Sequence, residues 1–184
     1  MESHGKYVVA YLIKGEAKSY HQNLTRKISE QFLISDVNKR IDPHLTLKYF
    51  NQLIGTREIE EVEKILKFFC ETHNKARLKL KGISNFDNKI IFIDVLASDE
   101  MKSLYSELVK ALGSLSWIKW HQFDRENIHF HATLAEGEDL QEDFNNIYNF
   151  ASKERPDFSL YLDNVCILHK PVDKWRLYRE FQLN

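Results

Sequence analysis

The sequence predicts an α+β fold of two similar lobes that share one body, with helices on the outside. Three observations predict it. The order strand, helix, strand, helix, strand is written twice, with one extra strand at the end. The second strand of each half carries the same His-x-Thr-Leu motif, His44-Leu45-Thr46-Leu47 and His131-Ala132-Thr133-Leu134. No Pro/Gly/Ser-rich linker separates the halves, so residues 1–184 read as a single domain with lobes of about 6–84 and 89–183.

The elements follow from pattern and punctuation. Tyr7 to Ile13 is β-branched and aromatic, a buried strand. Ser19-x-x-Gln22 resembles a capping box, and Leu24, Ile28 and Phe32 follow on one helical face. Pro43 precedes a strand from His44 to Phe50. Thr56 is a candidate N-cap for a helix whose apolar face is Ile59, Val62, Leu66 and Phe69. Ala76 to Ile83 alternates Leu78 and Leu80 with Arg77, Lys79 and Lys81, a strand with one solvated face.

The second half restarts the order. Asp87-Asn88 is a hairpin turn, followed by the strand Ile90 to Leu96. Ser98-Asp99-Glu100 opens a helix with the apolar stripe Met101, Leu104, Leu108 and Leu112 and with Gly113 at its end. A long loop leads to the strand Ile128 to Ala135. Asp139-x-x-Glu142 starts another helix, marked by Leu140, Phe144, Ile147 and Ala151. Phe158 to His169 and Trp175 to Leu183 are the two closing strands, joined by Pro171-Val172-Asp173-Lys174.

Composition narrows the function. With 43% apolar and 29% charged residues, the chain has the mix of an ordinary globular protein. No apolar run spans a bilayer, and Met1–Lys6 lacks the apolar stretch of a signal peptide. Cys70 and Cys166 read as reduced, buried and structural, which places the protein in the cytoplasm. A formal net charge of −1 argues against gripping long duplex nucleic acid and favours a small or short substrate. No membrane and no obligate protein partner are indicated, and the chain reads as a monomer.

On a strand, residues two apart share a face. His44, Thr46 and Lys48 therefore share one face, and His129, His131 and Thr133 share another. A pseudo-twofold axis would bring the two His-x-Thr pairs together across a groove. One imidazole can then act as base on a hydroxyl or water while the other protonates the departing oxygen of a phosphodiester. The hydroxyls of Thr46 and Thr133 can hold non-bridging oxygens, and Lys48 can add positive charge. This scheme calls for no metal and no cofactor.

The duplicated H-x-T-L motif resembles the 2H phosphoesterase superfamily, which includes the 2′-5′ RNA ligases and cyclic nucleotide phosphodiesterases. Pro43 to Phe50 looks like its first motif region. Val165-Cys166-Ile167-Leu168, Trp175-Arg176-Leu177-Tyr178 and Phe181-Gln182-Leu183 look like its closing hairpin. The resemblance implies a bilobal fold with two antiparallel sheets flanking the groove. It also implies metal-independent hydrolysis or transesterification of 2′,3′-cyclic phosphate or 2′-5′-linked nucleotides or short oligonucleotides, with His44 and His131 catalytic. Where members carry a basic residue after the second motif, this chain has Ala135-Glu136-Gly137.

The loop before the second motif interleaves aromatics with cations. Trp117, Trp120, Phe123 and Arg125, with His129, are candidates for base stacking or for lining the groove. The competing reading is that the tryptophans anchor the loop to the core. His129-Phe130-His131 also admits a metal site completed by Asp42 or His121, but no further ligand cluster has a recognisable spacing. His4, His21, His73 and His169 read as surface or packing residues. Two other functions compete: a viral or phage-type enzyme degrading cyclic or 2′-5′ oligonucleotide signals, and a nucleotide- or RNA-binding module without turnover.

Overall fold

The computed structural model describes residues 4–184, so the first three residues of the segment inspected for a leader lie outside it. Strand β1 (His4–Leu12) leads through helix α1 (Gly15–Phe32) to β2 (His44–Tyr49), the short β3 (Ile54–Gly55) and helix α2 (Thr56–Thr72). Strands β4 (Ala76–Phe86) and β5 (Ile90–Ala97) come next, then helix α3 (Asp99–Leu112) and β6 (His131–Glu136). Helices α4 (Glu138–Glu142) and α5 (Phe144–Ala151) precede β7 (Asp157–Leu162), β8 (Asn164–Lys170) and β9 (Arg176–Gln182). No helix among the described residues is long and apolar enough to cross a membrane.

The fold is α+β, with two sheets in which every strand pair is antiparallel. The first has the order β2-β1-β8-β9, with β3 also on β1, and the second has the order β6-β5-β4-β7. One hydrophobic core joins them. Val9, Tyr11 and Leu45 of the first sheet and Leu78, Ile93 and Ala132 of the second belong to a single buried cluster. The two motif strands, β2 and β6, are edge strands, and they adjoin each other.

Sheet membership does not follow the halves of the chain. The lobes expected at 6–84 and 89–183 each send strands to both sheets: β4 lies in the second, β8 and β9 in the first. The Asp87-Asn88 turn is the first cause. Both residues are left-handed (φ 46° and 57°), and the Lys89 N–H donates to the Phe86 carbonyl at 2.8 Å. A two-residue turn of this kind makes β4 and β5 antiparallel neighbours.

The second cause lies at Asp163–Asn164. The expected single strand Phe158 to His169 is two strands, β7 paired to β4 and β8 paired to β1. Asn164 is fully buried. Its side-chain carbonyl accepts from Leu12 N–H at 3.0 Å, and its amide donates to Leu12 carbonyl at 3.1 Å. That pair of bonds pins the chain to β1 at the point where it changes sheets.

Smaller differences have local reasons. Helix α1 begins at Gly15, not at the expected Ser19 cap, and the Ser19 hydroxyl donates back to Gly15 carbonyl at 3.4 Å inside the helix. At α2 the N-cap is Gly55, and the Glu58 carboxylate accepts its N–H at 2.6 Å. Thr56 is the first helical residue. Gly113 caps α3 in the right-handed region, φ −66°. The helix expected from Asp139 is broken at Asp143 into α4 and α5, while Leu140, Phe144, Ile147 and Ala151 are buried as the pattern predicts. Ser98 caps α3 by accepting from Met101 N–H.

Asn164→Ala strands two buried backbone groups of Leu12. It lowers the unfolding free energy by about 2–4 kcal/mol, read from the urea midpoint at unchanged m-value.

Candidate functional site

The two His-x-Thr strands are built alike to the level of single bonds. In β2, His44 and Thr46 are half-buried while Leu45 and Leu47 are buried; in β6, His131 and Thr133 are half-buried while Ala132 and Leu134 are buried. Each strand then carries a bulge at the same place. Ala10 pairs with Thr46 and Val9 with Lys48, so Leu47 is the extra residue. Phe92 pairs with Thr133 and Ile91 with Ala135, so Leu134 is the extra residue. The leucine that ends each H-x-T-L motif is thus the bulged residue, and both side chains of the doubled position turn into the core.

This bulge overturns the expectation for Lys48. Period-two alternation would put it beside His44 and Thr46, but the extra residue moves it to the opposite face, equivalent to Ala135. Lys48 is only 1% exposed. Its ammonium donates to Lys119 carbonyl at 2.8 Å, pairs with the Asp124 carboxylate and sits 4.8 Å over the Trp120 ring. Lys48 is a buried anchor for the loop before β6, so it cannot reach a phosphate held between the histidines.

Both motif imidazoles make the same backbone bond. His44 Nδ1 is 2.8 Å from the Asp42 carbonyl, and His131 Nδ1 is 2.8 Å from the His129 carbonyl. A carbonyl can only accept, so each Nδ1 carries the proton and each neutral ring keeps its lone pair on Nε2. Burial pushes the pKa of His44 below its ordinary value, against the pull of the Asp42 carbonyl, and the charge of His131 pushes it the same way. Burial likewise lowers His131, opposed by the His129 carbonyl and assisted by the imidazole of His129. The two rings therefore sense each other across the junction of the sheets.

A cavity of about 540 Å³ opens beside His131, and neither His44 nor Thr133 is among its lining residues. Thr46 of the first motif and His131 of the second both line it, with Tyr49, Phe86, Phe123 and His129. The Phe86 ring stands edge-on to His131, centroids 4.9 Å apart, and to His129 at 5.1 Å.

The profile of the 2′-5′ RNA ligase superfamily matches residues 17–174, most of the chain. The chain belongs to this superfamily, within the 2H phosphoesterases. No curated protein sequence matches it significantly. Among solved structures, Escherichia coli LigT complexed with 3′-AMP is 11% identical with a TM-score of 0.65, covering 99% of each chain. LigT complexed with ATP is 14% identical, TM-score 0.59, again over 99% of each. TT0787 of Thermus thermophilus is 13% identical, TM-score 0.56, over 97% of each. At these identities the likeness is one of fold.

In this 2H phosphoesterase the remaining candidate residues separate into three groups. Phe123, 65% exposed, and His129 line the cavity beside the histidines. Trp117 and Trp120 anchor the loop: Trp117 Nε1–H donates to Glu61 at 2.9 Å and its ring packs on Phe50, while Trp120 lies under Lys48 and Arg125, both 4.8 Å from its centroid. Arg125 lines a neighbouring cavity instead. The acidic Glu136 after the second motif is paired with Arg40 at 3.1 Å, so a cation from the first half of the chain offsets it. His129 Nε2 lies 2.8 Å from the Asp94 carboxylate, opposite His131 across the sheet. Among the described residues no group of three or more His, Cys, Asp or Glu side chains has the geometry to hold a metal ion.

One residue of the site is legible only in three dimensions. His21 of α1 is 2% exposed, and its Nε2–H donates to the Thr133 carbonyl at 2.9 Å, tying the helix to the second motif. Burial lowers its pKa to about 4. Its neutral form is the one the fold accommodates.

That shift sets a pH dependence. The contribution of His21 to stability is complete above its unfolded pKa of 6.5 and is lost as pH falls towards about 4. Up to about 3 kcal/mol is at stake. His21→Gln keeps a donor for Thr133, so the stability difference between wild type and variant, followed by urea unfolding, shrinks or reverses between pH 6.5 and 4. Separately, Lys48→Met leaves the Asp124 carboxylate unpaired and destabilises by about 3 kcal/mol; adding Asp124→Asn recovers part of the loss in the same assay.

Proposed function

We propose that this chain is a two-histidine phosphodiesterase that hydrolyses or transesterifies 2′,3′-cyclic phosphate or 2′-5′-linked nucleotides and short oligonucleotides. The observation that carries the reading is the repeated construction of the site: the same Nδ1–H···O=C bond and the same bulge, on two adjoining edge strands. Each bond leaves an Nε2 as the proton-transfer atom. Substrate phosphorus would lie between the two Nε2 atoms, with the hydroxyls of Thr46 and Thr133 donating to its non-bridging oxygens.

Proton balance follows from this arrangement. One neutral imidazole takes the proton of the attacking water or hydroxyl as the new P–O bond forms. The other, protonated, gives its proton to the departing oxygen as the old bond breaks. The pair therefore works with a single proton between them, and that state is favoured because each ring's charge disfavours protonation of its neighbour. The apolar rings of Phe86 and Phe123 on the cavity wall suit a nucleoside base. The nucleotides named with solved structures of this fold, 3′-AMP and ATP on LigT, support a nucleotide as the ligand class.

The test is turnover of a 2′,3′-cyclic nucleotide and a 2′-5′-linked dinucleotide in EDTA. His44→Ala and His131→Ala each lower kcat/KM by about 10²–10⁴, with unchanged urea midpoints. Near-full activity in either variant contradicts the scheme. The working acid must be protonated, and its pKa lies below 6.5 in the free protein. The kcat/KM profile is therefore bell-shaped, with a high-pH limb that falls as pH rises through that lowered value, before pH 6.5 is reached.

A further inference from the structure

The cavity beside the histidine pair shares walls with two others, and their charges differ. Around the β4–β5 turn, a cavity of about 560 Å³ shares Asp87 and Lys89 with it, and Glu142 and Asp143 add further negative charge there. Over α3, a cavity of about 680 Å³ shares Ile128 and His129 with it and is lined by Lys102, Lys110 and Arg125 with one acid, Glu126, while Asp99 and Glu107 pair with the two lysines from outside the lining. A polyanion whose scissile phosphate sits at the histidines is repelled on the first side and attracted on the second.

We infer that the cavity over α3 is a second nucleotide subsite, so that the substrate is an oligonucleotide of at least two units rather than a mononucleotide. This rests on the phosphodiesterase reading above and extends it. The neighbouring phosphate meets Lys102, Lys110 and Arg125, while the sugar or base lies on the apolar floor of Val95, Leu96 and Val109. The volume is that of a small-ligand site.

The cations are disposed for this. Arg125 holds a left-handed backbone, φ 61°, a conformation costing a non-glycine residue about 1 kcal/mol. Its N–H donates to the Tyr105 hydroxyl at 3.3 Å and its carbonyl accepts from Ile128 N–H at 3.2 Å, while its guanidinium stacks on Trp120. Lys102 and Lys110 pair with exposed neighbours on α3, Asp99 at 3.5 Å and Glu107 at 2.7 Å. Exposed pairs of this spacing contribute a few tenths of a kcal/mol, so a phosphate displaces them readily. His129 forms the ridge between the cavities, and its bond to Asp94 both fixes the ring and engages the carboxylate beside the path.

The experiment is calorimetric titration of the full chain with unreactive probes: an adenosine 3′-phosphate mononucleotide and its 3′-5′-linked di- and trinucleotide extensions. The dinucleotide binds at least about tenfold tighter than the mononucleotide, and its salt slope is steeper by about 0.7 per added phosphate contact. In Lys102→Glu/Lys110→Glu and in Arg125→Ala that ratio collapses towards one, with urea midpoints confirming the fold. Equal affinity for one and two nucleotides, or a length gain that survives both variants, overturns the subsite while leaving the histidine pair standing. Absence of turnover of both the 2′,3′-cyclic nucleotide and the 2′-5′-linked dinucleotide removes the phosphodiesterase reading, and the subsite with it.

Discussion

An imidazole can exchange a proton with a ligand only through a ring nitrogen that is not already engaged. In this fold the same nitrogen is engaged twice by the same kind of group: the carbonyl two residues before each motif histidine takes Nδ1–H at 2.8 Å. Everything proposed for the site depends on that bond. It selects the tautomer, holds the ring plane and leaves Nε2 as the working atom. Because the acceptor is backbone, the bond is set by strand geometry rather than by another side chain's rotamer. The bulge beyond the histidine sends Leu47 and Leu134 into the core, which seats each short polar stretch on an apolar footing.

The interleaved topology serves the same end. If each half of the chain had formed its own sheet, the two motifs would sit on separately folded bodies joined by a hinge. Instead β4 is tied to β5 by a two-residue turn, and β8 is tied to β1 by the buried Asn164. Each sheet contains strands from both halves, one core runs beneath both, and the motif strands adjoin at their edges. The relation between the histidines is therefore held by the global fold. His21 adds a strut from α1 to the Thr133 carbonyl, and the Lys48–Asp124 pair holds down the loop that presents Phe123 and His121 to the cavity. Both are buried polar interactions of the kind that specify one arrangement more than they add net stability.

Much of this was legible in the residues, and the rest was hidden for identifiable reasons. The motif face could be read as far as Thr46 and Thr133, because a strand alternates. Lys48 could not be placed by alternation, since a bulge is invisible to a period of two; the only hint was that its counterpart, Ala135, is apolar. The sheet exchange left two traces. The Asp87-Asn88 turn already required β4 beside β5, against a lobe boundary between them. The segment from Phe158 changes from alternating Phe158, Leu160 and Leu162 to the continuous run Val165 to Leu168, the change from a half-exposed to a fully buried strand. The roles of Trp117, Trp120 and Arg40 rest on contacts dozens of residues away, with Glu61, Lys48 and Glu136, which no local pattern encodes.

A crystal structure of the protein with a bound 3′-phosphorylated nucleotide tests the central claim most directly. The account predicts a phosphorus atom between the Nε2 atoms of His44 and His131, within hydrogen-bond reach of both through its oxygens, with the hydroxyls of Thr46 and Thr133 on its non-bridging oxygens. A phosphate held by one imidazole alone, or through an Nδ1 that has left its carbonyl, would contradict it.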